Sequence, residues 1–264
     1  MPRHNEQAFE AYIESAMQSG WTAVANTAFD PVNALFPEEV VSFLQHSQPT
    51  LWAELSKLNG DLLPGQIIKA LVKERLSKGT LHVLRHGFKF QGKTLKLAYF
   101  RPAHSLSKET EAFYRCNSFQ VCRQVFYHPE KRQSIDMVLA INGIPVVTIE
   151  LKNPSTGQNV QHAIKQFRED RDPSTALLSF KTGALVHFAV DTDEVYMTTH
   201  LQKQKTFFLP FNRGSNPQSV DCGKGNPPHP SGHRTAYLWE EVLRPESLLE
   251  IVGNFIFIEN AGKK

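Results

Sequence analysis

Two apolar segments, SIDMVLAI and PVVTIELK, flank Asn142-Gly143 and constrain the fold more than any other part of the sequence. An Asn-Gly pair between two such runs is a strong signal for a β-hairpin. The only charged residues in these predicted strands are Asp136, Glu150 and Lys152. Unpaired charges in an apolar setting are costly. A metal ion or an anionic substrate is their natural compensating partner.

The length of the turn between the two predicted strands decides whether Asp136 lies on the same face as Glu150 and Lys152. Glu150 and Lys152 lie two residues apart, so both project from one face of a strand. With a two-residue turn, Asp136 would lie opposite Ile149 and face away from Glu150. With a three-residue turn, Ile141 to Gly143 with the glycine left-handed, Asp136 lies diagonal to Glu150 on one face. If Asp136 and Glu150 form one site, the turn is therefore predicted to have three residues.

Two carboxylates on one face can hold one divalent ion. Hard oxygen ligands suit Mg²⁺ or Mn²⁺, which keep several waters and accept phosphate oxygens. Such an ion lowers the pKa of a bound water, while Lys152 would orient that water or stabilise an anionic transition state. On spacing alone, a salt bridge among Asp136, Glu150 and Lys152 at the sheet surface is an equal alternative.

The first eighty residues carry helical patterns. The segment NEQAFEAYIESAMQSG places Phe9, Ile13, Ala16 and Met17 on one face and ends at Gly20. Similar patterns follow in DPVNALFPEEVVSFLQHSQPTLWAEL and LPGQIIKALVKERLSKG. We predict that residues 1–80 form a helical part packed on the rest of the chain.

From Leu81 the sequence favours strands, with one helix between the fifth and sixth of the runs that follow. The predicted strands are LHVLRHGF, LKLAYF, FQVCRQVFYH, SIDMVLAI, PVVTIELK, ALVHFAV, EVYMTTH and FFLPFN. Helices around such hairpins predict an α/β or α+β fold with one mixed β-sheet. We assign residues 81–212 to this core. Residues 213–264, rich in Gly, Pro, Asn and Ser before a last helix in PESLLEIVGNFI, are expected to be a linker.

The composition is that of an ordinary globular protein, with 264 residues, 41% of them hydrophobic, and a formal charge of +3. This charge permits a DNA partner without requiring one. Three cysteines, a polar start and no apolar run long enough for a membrane span predict a cytoplasmic protein with no membrane partner.

One segment imitates a nucleotide-binding loop. Gly87 to Thr94, GFKFQGKT, fits the pattern G-x-x-x-x-G-K-[ST]. That loop needs small residues, a strand before it and a helix after it, whereas here the residues are bulky and a strand pattern follows. We predict a β-hairpin turning at Gln91-Gly92-Lys93 and no nucleotide-binding residues. ATP binding through Lys93 is the weaker alternative.

Two other patterns have simple explanations. His229 and His233 have the spacing of half a zinc site, and Cys222 is nearby, but the paired cysteines that would complete the site are missing. Asp193-Glu194 resembles a helicase acidic box, yet it lies between two short predicted strands and is interpreted as a hairpin turn.

Asp136, the hairpin and Glu150-Leu151-Lys152 resemble the D…E-x-K signature of the PD-(D/E)XK nucleases. The strings GTLHVLRHGF, SIDMVLAINGIPVVTIELKNPSTGQ and HAIKQFREDRDP are similar to the amino-terminal nuclease part of the R (restriction) subunit of type I restriction–modification enzymes. The similarity runs from about Phe9 to YLWEEVL.

This resemblance implies a PD-(D/E)XK core and a Mg²⁺-dependent endonuclease that hydrolyses phosphodiester bonds of double-stranded DNA. It implies that ATP acts only through motor domains absent from this chain. The methyltransferase and specificity subunits would be partners through the full R subunit. A docking module without catalysis, joining the motor to the modification core, is the alternative.

The resemblance also implies further site residues. In the family a glutamine on the helix after E-x-K supports the site within a Q-x-x-x-Y motif. Gln166 matches, but Asp170 stands where the tyrosine belongs. The family often adds an acidic residue from the first helix, and we prefer Glu10 to Glu14 as a third metal ligand. Candidate DNA contacts are Arg123, which could equally pack as an ordinary strand residue, Lys165 and Arg168.

Overall fold

The computed structural model describes residues 2–101, 108–216 and 223–258. Its α-helices are α1 (Pro2–Met17), α2 (Pro37–Ser47), α3 (Pro49–Asn59), α4 (Leu63–Lys78), α5 (Thr80–His86), α6 (Lys108–Arg115), α7 (Val160–Glu169) and α8 (Pro245–Glu250). Its strands are β1 (Thr22–Ala23), β2 (Phe88–Phe90), β3 (Lys93–Leu95), β4 (Phe119–Phe126), β5 (Ser134–Ile141), β6 (Ile144–Leu151), β7 (Val186–Val190), β8 (Val195–Thr198) and β9 (Leu209–Pro210).

Seven strands form one mixed sheet in the order β1-β4-β5-β6-β7-β8-β9, and β2 and β3 form a separate hairpin. The pairs β1–β4 and β6–β7 are parallel, and the other pairs are antiparallel. The parallel β6–β7 connection contains α7, as expected for a crossover between parallel strands. The predicted α/β fold with a mixed sheet and flanking helices is therefore confirmed.

The β5–β6 hairpin has a two-residue turn, and the predicted three-residue turn is wrong. Asn142 and Gly143 both have positive φ, 52° and 80°, and Ile141 pairs with Ile144. A side chain at Gly143 would lie 2.7 Å from Phe36 O, so only glycine fits here.

A β-bulge restores the alignment that the two-residue turn alone would lose. Between Leu139 and Ala140 the register shifts, because Ala140 pairs with Pro145 but Leu139 pairs with Val147. Val146 is the extra residue. Further along the ladder Met137 pairs with Ile149, so Asp136 and Glu150 lie at the next position and share a face. The prediction of a common face is correct, although its proposed cause is not.

The sheet is covered on both faces by apolar clusters. One cluster joins the α1–α5 helices to residues such as Leu139 and Val147. The other joins α7, through Ala163 and Phe167, to Val138 on β5. Asp136 alternates with Met137 and so points to the same side as Val138, beside α7. The border between residues 1–80 and 81–212 remains a prediction, but the first cluster also contains residues from Tyr237 to Val252.

The predicted strand LHVLRHGF is wrong, because its first six residues form α5. Leu81 and Leu84 are both buried, as helical spacing requires, and Gly87 follows the helix with φ 75°. The predicted strand LKLAYF is also wrong, because β3 is Lys93–Leu95 and only the first residue of that run lies in it.

The hairpin prediction for Gly87 to Thr94 is confirmed. Phe90 pairs with Lys93, so the turn consists of Gln91 and Gly92, and Lys93 is the first residue of β3. No helix follows, and Lys93 Nζ lies 2.9 Å from Glu54 Oε1. The phosphate-binding geometry is therefore absent here.

The last described part packs against α1. The His233 ring stacks on Phe9 at 5.0 Å and lies 4.6 Å from the Tyr12 ring, and Trp239 packs at 6.0 Å from Phe9. The predicted last helix is shorter than expected, since α8 ends at Glu250 and continues as a π-helical turn, Ile251–Phe255. No helix in the described ranges is long and apolar enough to cross a membrane.

The remaining sequence patterns are the histidine pair His229 and His233 with Cys222 nearby, and the acidic pair Asp193-Glu194. His229 Nε2 lies 3.3 Å from Glu240 Oε2, and Cys222 lies outside the described residues. Asp193 and Glu194 are in the turn between β7 and β8, where their backbone N–H groups both donate to Asp191 Oδ1 at 2.8 Å. The hairpin-turn interpretation is confirmed.

Candidate active site

A cavity of about 670 Å³ opens beside the sheet, between the start of α1, the end of α7 and strands β4 to β6. All but one of its lining residues are polar or charged. The lining residues are Glu6, Gln7, Glu10, Gln124, Phe126, Arg132, Gln133, Ser134, Asp136, Lys152, Gln166 and Arg171. Four residues predicted for the site, Glu10, Asp136, Lys152 and Gln166, are thus brought to one cavity.

Asp136 is held by hydrogen bonds from two directions. Its Oδ2 accepts from the backbone N–H of Leu151 at 2.8 Å, and its Oδ1 accepts from Gln124 Nε2 at 3.3 Å. One bond comes from β6 and the other from β4. The orientation of this carboxylate is therefore fixed by the sheet itself.

Glu150 is fully buried, with an exposed fraction of 0 %. Its Oε1 accepts from Arg171 Nε at 2.6 Å, whereas its Oε2 has no hydrogen-bond partner. Burial, followed by repulsion from Asp136, raises the pKa of Glu150 to about 8. Unlike Asp136, Glu150 does not line the cavity.

Lys152 lies immediately after β6 and is nearly buried, with an exposed fraction of 7 %. Its Nζ is 3.4 Å from Glu6 Oε1 on α1. This is a long contact, so the ammonium is compensated without being tightly bound. Lys152 therefore has a charged group available at the cavity wall.

Glu10 lies on α1 beside the apolar residues Phe9 and Ile13, and it faces the cavity. Its Oε1 accepts from Gln124 Nε2 at 2.8 Å, so Gln124 bridges Glu10 and Asp136. Burial and then repulsion from Asp136 raise the pKa of Glu10 to about 7.

Gln166 lines the cavity from α7. Asp170, which stands at the tyrosine position of the family motif, is exposed and caps the helix, its N–H donating to Gln166 O at 2.9 Å. Gln166 O also accepts from Arg171 N at 3.1 Å. The residue that turns from this helix end to the site is thus Arg171.

The three candidate DNA contacts do not line this cavity. Arg123 Nε pairs with Glu14 Oε2 at 3.2 Å, and Arg168 donates to the carbonyl oxygen of Thr206. Lys165 is exposed and lines a smaller neighbouring cavity that also contains Lys152. Their part in DNA binding remains a prediction.

The carboxylates of Asp136 and Glu150 fit a divalent cation. Glu150 Oε2 is buried without a hydrogen-bond partner, and repulsion from Asp136 contributes to the raised pKa of Glu150, so a cation shared by the two carboxylates would relieve that repulsion. Hard cations prefer carboxylate oxygens. Among the described residues no three His, Cys, Asp or Glu side chains form a metal-binding group. Asp136 and Glu150 would therefore be the protein ligands, and Mg²⁺ commonly binds one or two carboxylates and keeps several waters.

Comparison with protein families gives one match. The family described as type I restriction enzyme R protein N terminus matches residues 6–206, well over half of the chain. The chain belongs to this family. A search of curated proteins gave no match. For this R protein N terminus, the match includes Glu6, the whole β5–β6 hairpin and α7, so every residue of the candidate site lies within the matched range.

Sequence reasoning missed two residues of this site, Glu6 and Arg171. Gln124 was considered, with Arg123, only as a DNA contact or an ordinary strand residue, and its hydrogen bonds to Glu10 and Asp136 were not foreseen. Arg171 is 21 positions from Glu150, and Gln124 is 114 positions from Glu10. No local pattern connects such pairs. The one available signal was that Arg171 follows α7 closely, at the same helix end as Gln166.

Proposed function

We propose that this chain is a metal-dependent endonuclease domain that hydrolyses phosphodiester bonds of double-stranded DNA. The observation that carries the proposal is that Asp136, Glu150 and Lys152 lie on one face of the sheet, with Asp136 and Lys152 lining a polar cavity and Glu150 buried next to Asp136. Two carboxylates with one cation beside them suit phosphoryl hydrolysis, which requires a charge clamp on phosphate oxygens.

In this proposal Asp136 and Glu150 hold Mg²⁺ or Mn²⁺. Glu10, predicted as a third ligand, is not grouped with them among the described residues, so it would have to move towards the ion to bind it. The ion would supply a Lewis acid that stabilises negative charge on the phosphate. Gln124 keeps the carboxylates of Glu10 and Asp136 beside each other. Because β4 and β6 both donate hydrogen bonds to Asp136, this ligand needs little reorganisation on binding.

Lys152 has a separate role. Its ammonium would orient the attacking water or stabilise the negative charge that develops at phosphorus. The 3.4 Å distance to Glu6 leaves this charge only loosely paired. Gln166 would support the site from α7, and Lys165 would attract DNA phosphates along the neighbouring cavity.

The family membership supports a wider setting for this activity. We infer that the domain cuts DNA as the nuclease of a type I restriction enzyme in the cytoplasm, with the methyltransferase and specificity subunits as partners. Sequence recognition would belong to another subunit, and ATP would act only through the motor domains.

Metal binding and cleavage by the same protein test this proposal. Calorimetric titration of the full 264-residue chain with Mn²⁺ should give binding that Glu150→Gln abolishes, and Glu150→Gln should remove cleavage in the assembled enzyme. Glu14→Gln is the matched control, because Glu14 is an acidic residue of α1 that pairs with Arg123 outside the cavity. A wild-type chain without Mn²⁺ binding would favour the docking module instead.

A further inference from the structure

The ion pair between Arg171 and Glu150 connects the end of α7 to the centre of the candidate site. The Arg171 Nε to Glu150 Oε1 distance is 2.6 Å, and the two side chains are 7 % and 0 % exposed. A charged hydrogen bond this short and this well shielded from water fixes the geometry of both groups.

Arg171 is itself held from several sides. The backbone N–H of Arg171 donates to Gln166 O at 3.1 Å, and its backbone carbonyl oxygen accepts from Lys203 Nζ at 3.0 Å. Its guanidinium lies 5.9 Å from the centre of the Tyr127 ring, which is fully buried. The guanidinium therefore has little freedom to follow Glu150 if that side chain moves.

The two oxygens of Glu150 consequently differ. Oε1 is occupied by Arg171, and Oε2 is buried and has no hydrogen-bond partner. A carboxylate held through one oxygen presents the other in a defined direction, which is how outer partners orient metal ligands.

We propose that Arg171 is a positioning residue that orients Glu150 so that its free oxygen can bind the divalent cation. This inference rests on the proposed function. It adds Arg171, five residues beyond Gln166, to the residues that would support the site from this end of α7.

The opposite effect is expected if Arg171 acts only through its charge. A guanidinium close to a cation site repels the cation, so its removal would strengthen metal binding. A guanidinium that competes with the metal for Glu150 would have the same result. Positioning alone predicts that metal binding weakens when Arg171 is removed, so the sign of the change separates these roles.

The test is Mn²⁺ binding to the full chain. Electron paramagnetic resonance measures the concentration of the free ion, and calorimetry measures the affinity independently. Arg171→Met should weaken Mn²⁺ affinity by about 10-fold to 100-fold, the effect typical of outer partners of metal ligands. Arg213→Met is the matched control, because it removes the same charge from an exposed residue that pairs with Glu241 outside the cavity. Its affinity should equal that of the wild type.

Removing one partner of a buried ion pair is strongly destabilising, so Arg171→Lys is the second variant. It keeps the charge but lacks the planar guanidinium geometry, and its Mn²⁺ affinity should lie between those of the wild type and Arg171→Met. Circular dichroism at the temperature of the titration verifies folding. If Arg171→Met is unfolded, the shift in Arg171→Lys decides the result.

Unchanged or stronger Mn²⁺ binding in the folded Arg171 variants would overturn the positioning role. If that occurs while Glu150→Gln still abolishes binding, the proposed metal site stands and only the inference about Arg171 fails. A wild-type chain that binds no Mn²⁺ would overturn both.

Discussion

The backbone N–H of Leu151 donates a hydrogen bond to Asp136 Oδ2 across the β5–β6 hairpin, at 2.8 Å. This bond makes Asp136 part of the sheet as well as part of the cavity wall. Charge and hydrogen bonding at this side chain can therefore be changed separately by substitution.

Asp136→Asn keeps an oxygen that accepts from Leu151 and removes the charge. We expect cleavage by the assembled restriction enzyme to fall by more than about 100-fold, because a metal ligand is lost. Residues that only hydrogen-bond to metal ligands typically change activity by up to about that factor. The free energy of unfolding of the metal-free chain should change by less than about 1 kcal/mol, because relief of the repulsion with Glu150 and Glu10 is offset by loss of the hydrogen bond from Gln124, whose donor would face the new amide N–H₂. Plasmid cleavage and urea unfolding measure the two effects.

Asp136→Ala serves as the comparison. It leaves the Leu151 N–H without its acceptor, which costs about 1–3 kcal/mol for a buried donor. Retained cleavage in either variant would contradict the assignment of Asp136.

Lys93→Ala should have no effect on nucleotide binding, because Lys93 begins β3 of a hairpin and pairs with Glu54 at the surface. Calorimetry should detect no ATP binding by the wild-type chain or the variant. The free energy of unfolding should change by less than about 1 kcal/mol, as is usual for exposed ion pairs. ATP binding that disappears in Lys93→Ala would show that the loop binds phosphate.

His187 should make the chain sensitive to acid. Its ring is buried, its Nδ1 lies 2.7 Å from Thr148 Oγ1, and burial followed by repulsion from His200 lowers its pKa from 6.5 to about 3. The unfolded chain takes up the proton first, so stability is lost as pH falls from about 6.5 towards 3. The loss per pH unit in this window is at most about 1.4 kcal/mol.

His187→Gln cannot titrate and should lose less stability between pH 7 and pH 4.5 than the wild type, as measured by urea unfolding. His46→Gln is the control, since His46 is exposed on α2. Parallel pH dependence in the wild type and His187→Gln would show that this ring does not cause the acid sensitivity.

The isolated chain should cut DNA poorly even with Mg²⁺. A formal charge of +3 neutralises few phosphates, so affinity should be weak and should fall further with salt. Attachment to the motor would raise the effective concentration of DNA at the site and increase cleavage by orders of magnitude. Rapid plasmid digestion by the isolated chain that is insensitive to salt would contradict this expectation.

Much of the site could be predicted because charges within apolar strands are conspicuous. Three charged residues stand out in the apolar strands by composition alone: Asp136, Glu150 and Lys152. The apolar face of α1, with Phe9 and Ile13, indicated that Glu10 borders the site, and Glu10 does line the cavity. These conclusions required only local periodicity.

The rest depended on tertiary structure. The bulge at Val146 has no sequence signal, because every neighbouring residue is apolar and fits either register. Arg171 and Gln124 contribute through contacts that form only when the sheet and helices pack. The α5 helix was misread because LHVL also satisfies the alternation of a strand.

The bulge at Val146 has a consequence for how the proposed activity could be lost. Loss of the single codon for Val146 would slide Glu150 and Lys152 to the opposite face, whereas the valines and isoleucines around them would still find apolar neighbours on both sides. The product would be a folded protein that still carries the acidic and basic residues of the motif, but with Glu150 and Lys152 on the face of the sheet opposite to Asp136. Counting motif residues in an alignment would not reveal such an inactive descendant, whereas counting the residues between Asp136 and Glu150 would.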